Sequence, residues 1–393
     1  MISVAYVVPP LRSASGWRSY CRHFLPAISR FVTPVLYVSS EDSDEAAALF
    51  PDWPHFTLPM IQDFAFTNAP SIPHILAARW HAARVPLPPV DVVHSLEAYP
   101  TGLVGSWLVK RAGCSHVITG HGTYSINAAA SVLDRMAYSR VLKNASMFCP
   151  ISDGTMGLLR QHFPAESARL PMRVVRHGTA YCQLVPRHEA MNRRTASVPT
   201  VLSVGAIKPR KGYHVSLAAF ALLKRRLPTA RYWIVGRVDQ PEYFKTLQRF
   251  IEQEHLEGVH FLGELSPEAL RKRYEDASLF ALAPQQVGLS FEGFGLVFLE
   301  AGAYGLPVIA TRTGGVPDAI KADITGLITD PSDREGLAAA MERLLTDHEL
   351  ARRMGQANRE RAEMLTWERC ANQMNEIYEL VRHGKSDAIG SAG

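Results

Sequence analysis

No stretch of this chain is both apolar and uncharged over the length needed to cross a bilayer, so no helical membrane span is expected. Cysteine is sparse. Cys21, Cys114, Cys149, Cys182 and Cys370 are scattered, odd in number and form no C-x-x-C pair. They read as reduced, mostly buried thiols of a cytoplasmic protein rather than a disulfide framework. A large charge excess is also missing. Lys and Arg total 42 against 37 Asp and Glu, a formal net charge of +5 over 393 residues, too mild for a nucleic-acid footprint. The fingerprint G-x-G-x-x-G does not follow the first apolar run, so a nicotinamide dinucleotide is not expected. The amino terminus, Met1 to Pro10, has no basic segment ahead of its apolar run and stops at prolines. It reads as a first strand, not a signal peptide.

What is present is enough apolar residue, 47%, for ordinary cores, in a length that suits two domains. The chain is organised around Phe291-Glu292-Gly293-Phe294-Gly295-Leu296-Val297-Phe298-Leu299-Glu300-Ala301. Gly293 and Gly295 suit a tight loop where backbone approaches a ligand. From Leu296 the run reads as a buried helix, whose free N–H groups and positive dipole end would face a phosphate. Glu292 is expected on the loop at the mouth of this site and Glu300 about a turn into the helix. Gly305 to Thr311 reads as a turn and a buried strand. Thr313 to Asp318 reads as a second Gly-rich turn, with Pro317 in the first turn of another helix.

The remainder repeats strand and helix. Ile2 to Val8 is a buried strand, followed by a loop ending at Gly16 and a helix from about Trp17 to Ser29. Val35 to Val38 is the second strand. Asp42-Ser43-Asp44 has the D-x-D form that can hold a divalent cation, but in its run of charges it reads as a solvated turn. Residues 50–90 lack a clear period apart from one helix near Ile72 to Ala83. His94 ends the next strand and reads as a packed histidine. Val117 to Gly120 is a β-branched strand running into Gly120-His121-Gly122, where flanking glycines let a ligand approach the imidazole. Met147 to Ile151 is a further strand, and Arg173 to Thr179 closes the first domain. Residues 183–199 are polar and basic and read as the linker.

Thr200 to Gly205 starts a second sheet, and Lys208-Pro209-Arg210-Lys211-Gly212 follows it. Such basic side chains beside a strand end suit a diphosphate, which Arg grips bidentately and Lys meets as a point charge. Strands follow at Ala230 to Gly236, Gly258 to Gly263, Leu279 to Pro284 and Gly326 to Ile328. Gln285 to Ser290 makes a loop ahead of Glu292. A last helix spans about Trp367 to Val381, and residues after His383 read as a frayed tail.

The run from Glu292 to Glu300, continued by Ala301-Gly302-Ala303-Tyr304-Gly305-Leu306-Pro307-Val308, closely resembles the E-x7-E signature of the retaining GT-B glycosyltransferases of glycosyltransferase group 1. Gly314-Gly315, Val204-Gly205 and Pro209-Arg210-Lys211-Gly212 extend the resemblance over most of residues 198–350. It implies an α/β chain with two Rossmann-like domains facing across a cleft. Residues 1–185 would form the acceptor-side domain and 198–365 the nucleotide-sugar domain. A helix over 366–384 would cross back to the first.

It also implies sugar transfer from a nucleoside-diphosphate sugar to an acceptor hydroxyl, with retention and without metal or other cofactor. Among the residues, the resemblance implies that Glu300 binds the ribose hydroxyls and that Glu292 and His121 lie by the donor sugar. Gly16 would approach the phosphates or the acceptor, and Gly205 would help bind the donor, with Gly293, Phe294, Gly295 and Leu296 at the helix end. Leu262 and Gly263 would meet the nucleobase. Lys211 matches the family lysine. Many relatives carry Arg where this chain has Ala206, so Arg210 is the candidate for that charge, with Lys208 as its competitor. His177 stands where the family has Asn before Gly178, a place for positive φ.

The acceptor is open: a glycan, a lipid-linked sugar or a small molecule, with cell-envelope polysaccharide, lipopolysaccharide or glycolipid synthesis as the setting. A nucleotide-sugar epimerase and a non-catalytic sugar-nucleotide binder on the same fold are the alternatives. Trp17, Arg18, Arg22 and Arg30 offer a peripheral membrane contact, against the plainer reading of a solvated helix face. Oligomeric state is not legible.

Overall fold

The computed structural model describes residues 1–11, 16–59, 71–192 and 198–383. Its strands are β1 Ile2–Val7, β2 Val32–Ser39, β3 His55–Leu58, β4 Val92–Ser95, β5 Ser115–Gly120, β6 Met147–Pro150, β7 Thr200–Val204, β8 Arg231–Val235, β9 Val259–Gly263, β10 Leu279–Leu282, β11 Val308–Thr311 and β12 Gly326–Thr329. They form two six-stranded sheets, ordered β3-β2-β1-β4-β5-β6 and β12-β11-β10-β7-β8-β9, with every named pairing parallel. Parallel strands need helical crossovers that cover both faces, so the strands read as near-continuous apolar runs. β4, β6, β10 and β11 are buried along their whole length.

Numbered from its own first strand, each sheet has the doubly wound order 3-2-1-4-5-6. In such a sheet the connections leave the first and fourth strands in opposite directions. The gap at their C-terminal ends is where ligands bind. The gap lies between β1 and β4 in one sheet and between β7 and β10 in the other.

The chain divides into two compact units, Met1–His177 with Trp367–Gly393, and Gly178–Thr366. The helix Trp367–Arg382 belongs to the first unit and packs against helix Gly16–Ile28. Its Tyr378 hydroxyl lies 2.6 Å from His94 Nδ1, and Ser115 Oγ donates to the Val381 carbonyl at 2.9 Å. His94 is fully buried, with Nε2 2.8 Å from Thr119 Oγ1, the packed histidine expected. The described residues contain no helix long and apolar enough to cross a membrane.

Three expectations change. The unit boundary falls at His177 and Gly178, not near residues 185–198. The stretch read as linker packs onto helix His348–Met364: Arg359 donates to the carbonyls of Cys182 and Val185 at 3.2 and 3.1 Å, and Gln356 to that of Met191 at 3.0 Å. Arg187–Met191 is itself helical, and residues 193–197 of that stretch lie outside the described residues. Asp42-Ser43-Asp44 is not a solvated turn. Asp42 is buried in a 3-10 turn capped by Ser39, and Ser43–Leu49 is a helix. His177 does not adopt positive φ. It stacks on Tyr20 at 4.6 Å, so packing rather than backbone conformation explains its place.

Of the cysteines, Cys21, Cys149 and Cys370 are buried and Cys114 and Cys182 half-buried, all as free thiols.

Candidate active site

The gap between β7 and β10 is lined by charge. After β7 the chain passes Gly205 and makes one 3-10 turn, Pro209–Lys211, closed by Gly212 in the left-handed region at φ 71°. A Cβ on Gly212 would lie 1.6 Å from the Ala283 carbonyl oxygen, so glycine alone lets this turn press against the end of β10. Neighbours on an extended segment would point apart. The 3-10 turn instead brings two successive side chains to one target. Arg210 Nη1 lies 2.7 Å and Lys211 Nζ 2.8 Å from the same oxygen, Glu292 Oε2. Arg210 also donates to the Phe291 carbonyl at 3.1 Å. Lys208 is turned away and pairs with Asp239 at 3.0 Å.

Glu292 is 8% exposed and Lys211 9% exposed, so Glu292 is not at an open mouth as expected but enclosed with its cations. Burial by itself would raise the Glu292 carboxyl. The Lys211 ammonium and then the Arg210 guanidinium outweigh it and hold the group at about 2. Burial pulls Lys211 down, and Glu292 pulls it back up. The Gly314-Gly315 turn closes over the same place. Gly315 N–H donates to the Glu292 carbonyl at 2.9 Å, and a Cβ on Gly314, at φ 47°, would meet that carbonyl oxygen at 2.3 Å.

Beyond Glu292, Gly293 and Phe294 are buried, and Gly295 at φ 89° caps helix Leu296–Ala303 without any side chain across its first turn. Glu300 sits in the second turn of that helix. Its Oε2 accepts from the Tyr274 hydroxyl at 2.9 Å, and Tyr274 stacks on Tyr304 with ring centroids 5.0 Å apart. Burial raises Glu300, opposed by the Tyr274 bond and the Lys211 charge. Gly205 directly follows β7, and its carbonyl accepts from the Tyr213 hydroxyl at 2.6 Å. Leu262 and Gly263 end the edge strand β9, and the Gly263 carbonyl accepts from Gly236 N–H at 2.8 Å. All these residues therefore lie at the C-terminal edge of one sheet.

The first unit has its own cluster at the gap between β1 and β4. Gly16 opens helix Gly16–Ile28 and is exposed, while residues 12–15 lie outside the described residues. The sequence reading missed Glu97, two residues past β4 and 1% exposed. Its Oε2 accepts from the Trp17 indole N–H at 2.8 Å and its Oε1 from Ala98 N–H at 2.7 Å. His121 N–H lies 3.5 Å from the same Oε1. Burial pushes the Glu97 carboxyl up to about 8 against the pull of these three donors. The signal for it was available. Glu97 and Glu292 are each the first carboxylate after the fourth strand of their sheet.

His121 packs edge-on against Tyr20 at 4.5 Å and beside His177 at 4.7 Å. Its Nε2 is buried without a hydrogen-bond partner among the described residues, and burial lowers it to about 3, with the Leu96 carbonyl partly opposing. The ring is thus a neutral imidazole. Trp17 and the exposed Tyr124 form a tilted pair at 4.7 Å next to it. Trp17 donates to Glu97 and Arg18 ion-pairs with Glu45, while Arg22 and Arg30 are exposed.

Residues 187–361 match the family model for glycosyl transferases group 1. A D-inositol 3-phosphate glycosyltransferase of Corynebacterium efficiens is 30% identical over 76% of this chain and 73% of its own. The chain belongs to the group 1 glycosyltransferases. A GDP-mannose-dependent alpha-(1-6)-phosphatidylinositol monomannoside mannosyltransferase of Mycolicibacterium smegmatis is 29% identical over 69% of this chain and 71% of its own. Among solved structures, sucrose-phosphate synthase from Thermosynechococcus elongatus superposes with a TM-score of 0.77, covering 98% of this glycosyltransferase and 100% of its own chain at 22% identity. The architecture of two parallel six-stranded sheets is accordingly the GT-B fold.

Proposed function

We propose that this glycosyltransferase moves a sugar from a nucleoside-diphosphate donor to an acceptor hydroxyl, with retention and without a metal. The observation that carries the reading is the convergence of Arg210 and Lys211 on one oxygen at the β7–β10 gap. Two cations aimed at a single anionic position, in front of an uncapped helix end at Gly295, suit a diphosphate whose charge grows as the sugar leaves. Glu300 accepts the ribose hydroxyls, and Leu262 and Gly263 offer backbone to the base. Glu292 and His121 act at the sugar. In the reaction the anomeric carbon–oxygen bond to the diphosphate breaks. The acceptor oxygen bonds the same face, and its proton passes to the departing phosphate oxygen. The relatives' names point to cyclitol and lipid acceptors, so synthesis of a cell-envelope glycolipid, lipopolysaccharide or polysaccharide on the cytoplasmic membrane face is the setting we propose.

The test begins with a thermal-shift screen of nucleotide sugars. A donor at about a hundred times its dissociation constant adds roughly 2.7 kcal/mol of stability. Transfer with that donor is then measured in EDTA and is expected to be unchanged. Loss in EDTA with recovery on adding Mg²⁺ or Mn²⁺ overturns the metal-free reading. Isomerised donor in the absence of acceptor would instead identify an epimerase.

Glu300→Gln is expected to weaken donor binding roughly ten- to a hundredfold, because a charged hydrogen-bond acceptor worth about 1.5–3 kcal/mol is lost. The fold is retained, since the Tyr274 hydroxyl can still donate to the amide oxygen. Calorimetry checks it, and an unchanged donor affinity removes Glu300 from the site.

A further inference from the structure

The helix Val132–Asn144, between β5 and β6, turns a face outward that nothing among the described residues of its own unit covers. Its inner face is ordinary: Asp134, Tyr138, Val141 and Leu142 are buried. On the outer face Val132 is 75%, Leu133 53% and Met136 49% exposed. These positions are i, i+1 and i+4, so the three side chains make one contiguous apolar strip over the first turn and a half. Single exposed apolar residues are unremarkable, but a contiguous strip with a rim of one charge sign is not.

The rim is basic. Arg140 and Lys143 are exposed one and two turns further along the helix. The helix has one acid, Asp134, which is 2% exposed and accepts from the Tyr99 hydroxyl. Arg135 is exposed between Val132 and Met136 positions and donates to the His162 carbonyl at 2.6 Å. Arg160 is exposed on helix Asp153–His162 and Arg169 just past helix Pro164–Ser167, where Glu166 is 9% exposed and 3.7 Å from Lys143. From residue 132 to 169 the exposed acid is Asp153, which is already paired with Arg176.

We propose that this face docks the protein onto an anionic lipid bilayer. An apolar strip beside a basic rim is the composition that lies in a bilayer interface, the apolar side chains among the acyl chains and the cations at the headgroups. A second copy of the chain is disfavoured by charge, because a two-fold contact would bring Arg140 and Lys143 against their own kind. Three side chains also fall short of the roughly 800 Å² per partner that stable interfaces bury. The inference rests on the membrane setting proposed above and names the surface responsible. It moves that surface away from Trp17 and Arg18.

The experiment is co-sedimentation of the full chain with vesicles of phosphatidylcholine alone and with phosphatidylglycerol added, without donor. The protein is expected to bind the anionic vesicles and not the neutral ones. Each cation at an anionic surface strengthens partition roughly fivefold. Arg140→Glu with Lys143→Glu should therefore weaken binding at least tenfold, and Leu133→Ser with Met136→Ser should weaken it at least as much. Circular dichroism checks that both variants fold. The control pair Leu76→Ser with Trp80→Ser alters two other exposed apolar residues of the same unit and should bind as the parent does.

Several outcomes overturn the proposal. They are no binding to anionic vesicles, binding that survives both helix variants, loss confined to the control pair, or a concentration-dependent dimer that the helix variants abolish. Donor binding in the thermal-shift screen is unaffected by any of them, so failure here leaves the transfer reading standing.

Discussion

Lys211→Ala is expected to lower kcat/KM for sugar transfer on the order of a hundredfold, the cost of removing one preorganised donor from a developing oxyanion. Lys211 Nζ is 2.8 Å from Glu292 and buried, so its charge acts where water screens little. Arg210→Ala should cost at least tenfold, about 1.4 kcal/mol, more than Lys208→Ala. The structure gives the reason for the ranking. Arg210 shares the Glu292 oxygen with Lys211, whereas Lys208 is drawn off to Asp239, which also holds Arg237. Because charge grows on the diphosphate as the bond breaks, each loss should appear in turnover more than in donor affinity. Lys211→Ala also leaves the buried Glu292 with one cation, so its melting temperature must be measured beside its rate. If Lys208→Ala is the costlier of the two neighbours, Arg210 is misassigned.

The second expected result is acid unfolding of the first unit near pH 4–5, ahead of the second. Four buried histidines, His94, His116, His121 and His177, are held neutral by burial, His116 and His121 down to about 3. Neighbouring histidines add to the effect at His94 and His177. The unfolded chain takes up protons near pH 6.5 while the native unit does not. Stability is therefore present above pH 6.5 and falls as pH drops from there toward about 3. Each group removes about 1.4 kcal/mol per pH unit in that window.

Glu97 has the opposite sign. Its carboxyl, raised to about 8, binds its proton more tightly in the native state, so its term gains as pH falls from 8 to its ordinary value. Four histidines lowered by burial outnumber the one raised carboxyl, so the balance below pH 6.5 is a loss of stability as pH falls. In the second unit Glu292, held at about 2, begins to lose stability only below its ordinary value of 4.5. Five of the six tryptophans, all but Trp233, lie in the first unit, so tryptophan fluorescence against pH reads it directly. Fluorescence unchanged down to pH 3.5 would exclude this account.

The sequence by itself determined what depends on neighbours along the chain. The strand from Leu279, the glycine turn at Gly293 and Gly295, the helix from Leu296 and the eight-residue step from Glu292 to Glu300 are local patterns, and they stand where they were read. So do the His121 turn after β5 and the packed His94. Sequence named Arg210 ahead of Lys208 but could not supply the contacts behind that order, because they depend on which carboxylate each meets across the fold. Those partners, Glu292 and Asp239, lie 82 and 31 residues away. Glu97 could be picked out by its place after β4, but its partner could not: Trp17 is brought to it from 80 residues earlier across the β1–β4 gap. His177 looked like a backbone device and is an aromatic packing residue. The outward face of Val132, Leu133 and Met136 was also invisible, since an apolar residue in a helix reads as core until the sheet order decides which side is covered. Periodicity and spacing fix elements because backbone preferences are short-ranged. Which charges and rings meet is decided by strand order and close packing, which no local window contains.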